Sequence, residues 1–147
     1  MHLHNIHGYY LQVQLLFNYL KKRKRPVVWT LHDCWPFTGH CAYFDFIKCK
    51  KWKTECNICP QRCEYPKSIL LDSSRKNYID KKHSFNGLEN MILVTPSKWL
   101  SMLIEDSFLH EYPCRVINNG INLEIFRPSE SKLRVEYGLQ DYKVVLG

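Results

Sequence analysis

Apolar residues recur at helical spacing from Tyr9 to Leu20, with Leu11, Leu15, Leu16, Tyr19 and Leu20 marking one stripe. This predicts a first helix, stopped by the basic run KKRKR (21–25) and Pro26. VVWTL (27–31) is apolar throughout and β-branched, the pattern of a strand covered on both faces. Residues 68 to 83 read as a weakly amphipathic helix. MILVTP (91–96) is a second buried strand ended by Pro96, and Ser97 is placed to cap the helix KWLSMLIEDSFL. CRVI (114–117) is a third strand, closed by the turn NNG (118–120). INLEIFRPSE reads as a connector and SKLRVEY as a short helix stopped by Gly138, after which YKVVLG begins another strand. HLHNIHG, directly after Met1, is polar and suggests no strand ahead of the first helix.

Strands separated by helices imply right-handed crossovers and a mainly parallel sheet, so the expected class is a Rossmann-like, doubly wound α/β fold. The chain has 147 residues, 45% of them hydrophobic, enough for one domain with a core and too few for two of ordinary size. Residues 32 to 66 show no sustained period, and a loop of that length is usually functional or held by something. Both ends read as cut, giving the expectation that the chain is the middle of something larger.

No apolar run is long enough to span a bilayer and no secretory leader is visible, so the expectation is a soluble, cytoplasmic chain. In a reducing compartment, closely spaced cysteines are metal ligands or catalytic groups more often than disulfides. Lys plus Arg is 21 against 14 acidic residues, a formal charge of +7 that favours an anionic partner. Much of that excess sits in KKRKR, which reads first as a solvated helix end.

In open parallel sheets, ligands bind beyond the carboxyl ends of the strands. His32-Asp33, Ser97 and Asn118-Asn119-Gly120 stand at such ends. A histidine there can bond a substrate hydroxyl or shuttle a proton. The alternative for this pair is a histidine satisfying loop backbone, with Asp33 capping the next turn. His4 and His7 would join the same cleft if a strand preceded them. The stretch HCAYFDFIKCKKWKTECNICPQRC (40–63) carries five of the seven cysteines. Cys56 and Cys59 form a C-x2-C pair, and with Cys41 and Cys49 they supply four thiolates for tetrahedral zinc. His40 and Cys63 are substitutes in that shell, and an iron–sulfur cluster ranks below zinc. A closed four-sulfur shell leaves no position for water, so it is structural rather than hydrolytic. Cys34 and Cys114 read as core packing.

The run VVWTLHDCWPFTGHCAYF, the cysteines through CNICP, then VTPSKWL and VINNGINLEIFRP resemble family-four glycosyltransferases, of the kind found in bacterial cell-surface polysaccharide assembly. The resemblance implies a GT-B architecture: two Rossmann-like domains across a cleft, retaining transfer from a nucleotide-sugar, and no catalytic metal. It implies that residues 1–126 form an incomplete N-terminal, acceptor-side domain with a cysteine-rich loop insertion. Residues 127–147 would be a hinge and the start of a C-terminal nucleotide-sugar domain. His32 matches the histidine that contacts the donor sugar near the reaction centre. Asp33, Gly39, His40, Ser97, Asn119 and Gly120 follow as substrate contacts. The partners so implied are a nucleotide-sugar and a glycan or lipid-linked acceptor, with KKRKR set against an anionic membrane on the cytoplasmic side. The glycine-rich loop, diphosphate-holding basic residues and paired glutamates of that family fall outside the chain, so the chain alone is expected to transfer no sugar.

Two further classes remain open from sequence. A zinc-stabilised nucleic-acid-binding module would cluster its basic residues on a face with Trp35 and Trp52. A transferase would place KKRKR at a helix end away from His32, and no nucleic-acid partner is then expected. A non-catalytic scaffold or decayed fragment is the third.

Overall fold

In a computed structural model, residues 1–7, 10–68, 71–129 and 132–145 are described. Four strands, β1 (His2–Leu3), β2 (Val27–Thr30), β3 (Met91–Thr95) and β4 (Cys114–Val116), pair in that order, all parallel. Helix α1 (Val13–Arg23) links β1 to β2, α2 (Ser74–Phe85) leads into β3, α3 (Lys98–Glu105) links β3 to β4, and a short α4 (Leu133–Glu136) follows. The parallel α/β class is therefore as the pattern predicts.

The strand order runs without a reversal, and successive right-handed crossovers then deposit their helices on one face of the sheet. Burial follows. Val27 and Trp29 of β2 and Met91 and Leu93 of β3 are buried, while Val28 and Ile92 between them are 38% and 44% exposed. The reading of β2 as covered on both faces is thus corrected: its uniform apolarity hides an alternation, because both of its exposed and buried positions are filled by β-branched or aromatic residues. The helix-bearing face is organised by three rings. Phe17 of α1, Trp29 of β2 and Phe85 of α2 meet with centroids 4.6 to 5.4 Å apart. Such tilted and edge-to-face pairs add about 0.5–1.5 kcal/mol each beyond their area.

The true apolar stripe of α1 is Val13, Leu16, Phe17 and Leu20, spaced i, i+3, i+4, i+7, with Phe17 and Leu20 fully buried. Leu11, Leu15 and Tyr19 are exposed, and the helix begins at Val13; Tyr9 lies outside the described residues. The basic run continues α1 to Arg23, where Lys24 caps it in a left-handed conformation. Two residues suffice for β1, which the sequence reading missed: His2 pairs with Val28 and Leu3 with Trp29, too short a run to carry an alternation. Ser97 caps α3 as expected, its hydroxyl accepting the Leu100 N–H at 3.3 Å.

The long loop is not irregular for want of a core. It turns through three 3-10 segments, Trp35–Phe37, Asp45–Ile47 and Lys51–Lys53. Phe37, Phe44 and Trp52 close on one another with centroids 4.9 to 6.5 Å apart, forming a small aromatic core of their own. Trp52 donates to the Cys49 carbonyl at 3.0 Å, and Tyr78 of α2 donates to the Trp52 carbonyl at 3.1 Å. Beyond β4 most side chains are exposed. Tyr142 to Val145 form no strand, since no described strand lies beside them to take their hydrogen bonds; Leu146 and Gly147, like Ser131, lie outside the described residues. Gly138 ends α4 at φ +63°.

Gly39 is where this loop touches α2. A Cβ there would stand 2.1 Å from the Ser74 carbonyl oxygen and 2.7 Å from Cys56 Cβ, both held in place. Gly39→Ala is expected to lower unfolding stability by about 1–3 kcal/mol, the usual cost of overpacking. Gly120→Ala, with nothing within 4 Å of its Cβ, should stay within about 0.5 kcal/mol. Urea titration of both variants checks the contrast.

Candidate functional site

At the carboxyl edge of the sheet, the Leu31 N–H donates to the Val94 carbonyl at 2.8 Å and carries β2 to its end. His32 then emerges exposed and Asp33 turns inward, buried. His4 Nδ1 and His32 Nε2 stand 3.0 Å apart in a hydrogen bond, with the two rings stacked at 5.3 Å. The His2 ring lies 4.3 Å from His4, and its Nε2 bonds Thr30 Oγ1 at 2.8 Å. The three histidines therefore form a row across β1 and the end of β2. The buried Trp29 indole fixes this row from below by donating to the His4 carbonyl at 3.1 Å. His32 is thus oriented by His4 rather than free to turn.

Asp33 does what the structural alternative described: its Oδ1 accepts the Trp35 N–H at 2.9 Å and caps the next turn. Its Oδ2 also faces His7 Nε2 at 3.6 Å, and both side chains are nearly buried. His7 in turn lies against Trp35, centroids 5.1 Å apart. The surface around His4, His32 and Asp33 encloses no measurable volume.

The volume lies next door. A cavity of about 510 Å³ opens between the start of α1, the face of α2, and residues 35–40. His7 and Trp35 separate it from the histidine row and line both. Its α2 wall is a polar stripe, Ser73, Asn77, Asp80, Lys81 and Ser84, recurring at helical spacing. That stripe explains why α2 reads as only weakly amphipathic: its inward side is split between the core residues Tyr78 and Phe85 and this wet wall. The polar spacing was the signal in the sequence that could have found it.

Lys81 is 8% exposed and its amine donates to the Trp35 and Thr38 carbonyls at 2.8 and 2.9 Å. It also sits 3.6 Å above the Trp35 ring. Burial pushes this amine down to about 7, against the opposing pull of Cys56, Cys41 and Asp33. Gly39 and His40 line the cavity, Gly39 by close packing. His40 is buried with its Nε2 unpartnered, and burial holds it below the ordinary histidine range, more than Asp72 raises it.

The cysteine loop is tied down beside this cavity. Asp72 accepts the Cys59 N–H at 2.7 Å and the Ser74 N–H at 2.8 Å, joining the CNIC turn to the start of α2. Burial works to raise the Asp72 carboxyl, but the Ser74 and Cys59 donors outweigh it and hold it below the usual range. Within the turn, Ile58 takes φ +43° and is exposed, while Lys51 donates to the Asn57 and Ile58 carbonyls at 2.9 and 3.0 Å. All seven cysteines are free thiols. Cys41, Cys49, Cys56 and Cys59 lie within one another's electrostatic reach. Burial pushes the Cys41 thiol up to about 12 and the Cys56 thiol up to about 11. Even so, among the described residues no three His, Cys, Asp or Glu side chains stand close enough to hold a metal ion. Cys34 is fully buried, its thiol raised by burial and then by Asp33, and Cys114 is half-buried against the core, as the core-packing reading expects.

Ser97, Asn119 and Gly120 share the carboxyl edge with His32 but are not brought against it. Ser97 spends its hydroxyl on α3, Asn118 Nδ2 donates to the Pro96 carbonyl at 2.9 Å, and Asn119 and Gly120 are exposed. KKRKR sits at the opposite end of the sheet, where Lys21 donates to the His83 carbonyl at 3.0 Å and Lys24 faces Glu89 at 3.4 Å. Trp52 is buried and Trp35 is covered by Lys81, so neither offers a base a stacking platform. Basic groups do meet both rings, Lys81 over Trp35 at 3.6 Å and Lys53 over Trp52 at 5.4 Å. No helix among the described residues is long and apolar enough to cross a membrane.

The chain is 32% identical over 133 residues to a protein of Escherichia coli (strain K12) named "Putative colanic acid biosynthesis glycosyl transferase WcaC". That alignment covers 84% of this chain and 31% of the relative, so the chain spans about a third of that protein's length. No protein-family model and no solved structure matches.

Lys81 gives the site a measurable signature. Its folded value near 7 lies below the ordinary 10.5, so between those limits the unfolded chain binds more protons and stability rises with pH; below about 7 the full cost of burying the charge is present. The stability of the wild type relative to Lys81→Met should therefore increase from pH 7 toward pH 9, by at most about 1.4 kcal/mol per unit. Urea unfolding of the pair across this range is the measurement.

Proposed function

We propose that this chain is the acceptor-side portion of a glycosyltransferase of bacterial surface-polysaccharide assembly, of the retaining, GT-B, family-four type. The alignment over 84% of the chain with a protein named as a glycosyl transferase carries this reading. The histidine row supports it. His32 stands exposed beyond the end of β2, its ring fixed by His4 at 3.0 Å, where it can bond a hydroxyl of a bound sugar. Orientation of this kind contributes to a transfer reaction by holding the donor sugar against the acceptor.

In this reading the donor is a nucleotide-sugar and the acceptor a glycan or lipid-linked sugar. A departing diphosphate needs fixed cationic or N–H donors. KKRKR lies at the far end of the sheet and Lys81 is committed to two carbonyls, so those donors come from other parts of the complete protein. KKRKR is then free to meet an anionic membrane on the cytoplasmic side, near lipid-linked substrate.

The transfer assay that tests this uses the complete gene product and a panel of radiolabelled nucleotide-sugars. His32→Ala should lower kcat by about 100-fold, the low end for a positioned group at the reacting centre. The 147-residue chain alone should transfer nothing. Failure of the complete product to transfer from any donor would sink the reading, and unchanged turnover in His32→Ala would remove that residue.

A structural zinc on Cys41, Cys49, Cys56 and Cys59 belongs to the same proposal. The donor set is soft, and the four thiols already influence one another. A metal would draw the sulfurs together and displace protons that burial now holds on them. Protein purified without added zinc should carry about one zinc per chain by elemental analysis, lost in Cys56→Ser, as a single four-thiolate shell requires. Metal-free wild type would refute the site.

A further inference from the structure

We propose that two turns of the cysteine-rich loop, 45–48 and 56–59, form a docking surface that sets Phe46 and Ile58 into the interface of a bilayer rich in anionic phospholipid. The inference goes beyond the transferase reading and does not depend on it; it gives the outer surface of this loop a partner.

Both turns present apolar side chains to solvent. Phe46 is 73% exposed at the first and Ile58 is 81% exposed at the second, with Tyr43 and Ile47 exposed on either side of Phe46 in sequence. Ile58 also stands at φ +43°, in the left-handed region that a β-branched side chain rarely adopts. Its neighbour Asn57 is of the type that takes this conformation more readily. An aliphatic side chain is thus held in solvent, in a strained conformation, with little packing to favour it. Strain of this kind persists where the surroundings enforce it, and it clusters at functional sites. The surroundings here are firm. The Cys49 N–H donates to the Phe44 carbonyl at 3.4 Å, and Phe44 stacks on the buried Trp52 at 4.9 Å. Lys51 then ties the second turn to the segment after the first, donating to the Asn57 and Ile58 carbonyls at 2.9 and 3.0 Å. Apolar tips on a fixed base lose little conformational freedom on docking.

Charge selects the occupant. Between residues 43 and 60 stand Lys48, Lys50, Lys51 and Lys53 against Asp45 and Glu55. Arg75 already engages Glu55 at 2.6 Å, and Asp106 engages Lys53. Lys48 and Lys50 are exposed and have no acidic partner among the described residues. Their long stems can lie along the same apolar surface as Phe46 while the amines reach lipid phosphate. Free lysines beside apolar tips suit an interfacial anchor for anionic lipid. A protein partner fits less well, since a stable interface takes about 800 Å² from each side and these apices are only a few side chains wide. A second copy would bring like charges together. Single-stranded nucleic acid needs rings to stack on, and the most exposed apex, Ile58, is aliphatic.

The test is co-sedimentation of the chain with vesicles of phosphatidylcholine alone and of phosphatidylcholine mixed with phosphatidylglycerol. Binding to the anionic vesicles is expected, weakening as salt rises, with little binding to phosphatidylcholine alone. Phe46→Ser and Ile58→Asn should each lower the partition coefficient by about tenfold or more. Ile58→Asn should do so with no fall in the urea midpoint, because asparagine accepts the left-handed conformation, and this separates lost docking from lost fold. Lys48→Gln together with Lys50→Gln should weaken binding and flatten its salt dependence. Replacing Lys22, Arg23 and Arg25 of the KKRKR run by Gln should lower binding less than Phe46→Ser does; the reverse order would return the membrane contact to KKRKR and overturn the assignment. No binding, equal binding to both kinds of vesicle, or binding that neither apex variant weakens would overturn it too. Tighter binding of a single-stranded oligonucleotide than of anionic vesicles, or a dimer dissolved by Phe46→Ser, would give the surface another occupant and rule out this one. Vesicle binding by a protein that transfers no sugar would leave the surface assigned and remove the transferase; transfer by the complete gene product without vesicle binding would do the reverse.

Discussion

The amine of Lys81 is the point on which the working end of this molecule turns. It reaches from the middle of α2 to the carbonyls of Trp35 and Thr38, the two ends of the first turn after His32-Asp33. The Trp35 carbonyl also accepts the Thr38 N–H at 3.3 Å, whereas the Thr38 carbonyl lies outside any strand or helix, where a buried carbonyl without a donor is costly. A lysine supplies donors from a long stem, and the Trp35 ring beneath it at 3.6 Å offsets part of the desolvation. Four residues of loop are thereby fixed to a helix, with Gly39 closing the join by letting the Ser74 carbonyl approach. One wall of the cavity takes its position from this joint, while the histidine edge is set by the Trp29–His4 bond and the cysteine loop is held also by Asp72.

Much of the frame was legible in the chain, and the reasons are local. MILVT, Ser97 as a cap and Gly138 as a stop each depend on a residue and its immediate neighbours, and each stands where the pattern puts it. The failures are those of tertiary context. A two-residue β1 has no period to read. β-branched or aromatic side chains at every position of VVWT conceal which face is covered, because only the strand order decides that. The aromatic cluster of Phe37, Phe44 and Trp52 is spread over residues 37 to 52 with no regular spacing, so its members could not be seen to converge.

The same contrast applies to the site. His32-Asp33 was singled out because a polar pair ends an apolar run, and the pair divides its labour: His32 stays in solvent while Asp33 caps a turn and faces His7. The partner that fixes His32 was invisible, since His4 is 28 residues away and reaches it through strand pairing. The cavity was missed for a different reason. Its wall is written in the polar residues of α2, which a search for apolar periodicity discards.

The cysteine loop shows how two kinds of restraint can occupy one segment. The aromatic cluster, the Asp72 bonds and the Lys81 bonds order it using groups that need nothing from outside. Burial raises the Cys41 and Cys56 thiols well above neutral pH, so at pH 7 these two behave as small apolar side chains rather than nucleophiles. A metal would change the character of the quartet without having to build the loop. That separates its contribution from the folding of small metal-dependent domains, where binding free energy is folding free energy. Here the fold supplies the scaffold, and any ion would only tighten the turn that carries Ile58 and abuts α2 beside the cavity.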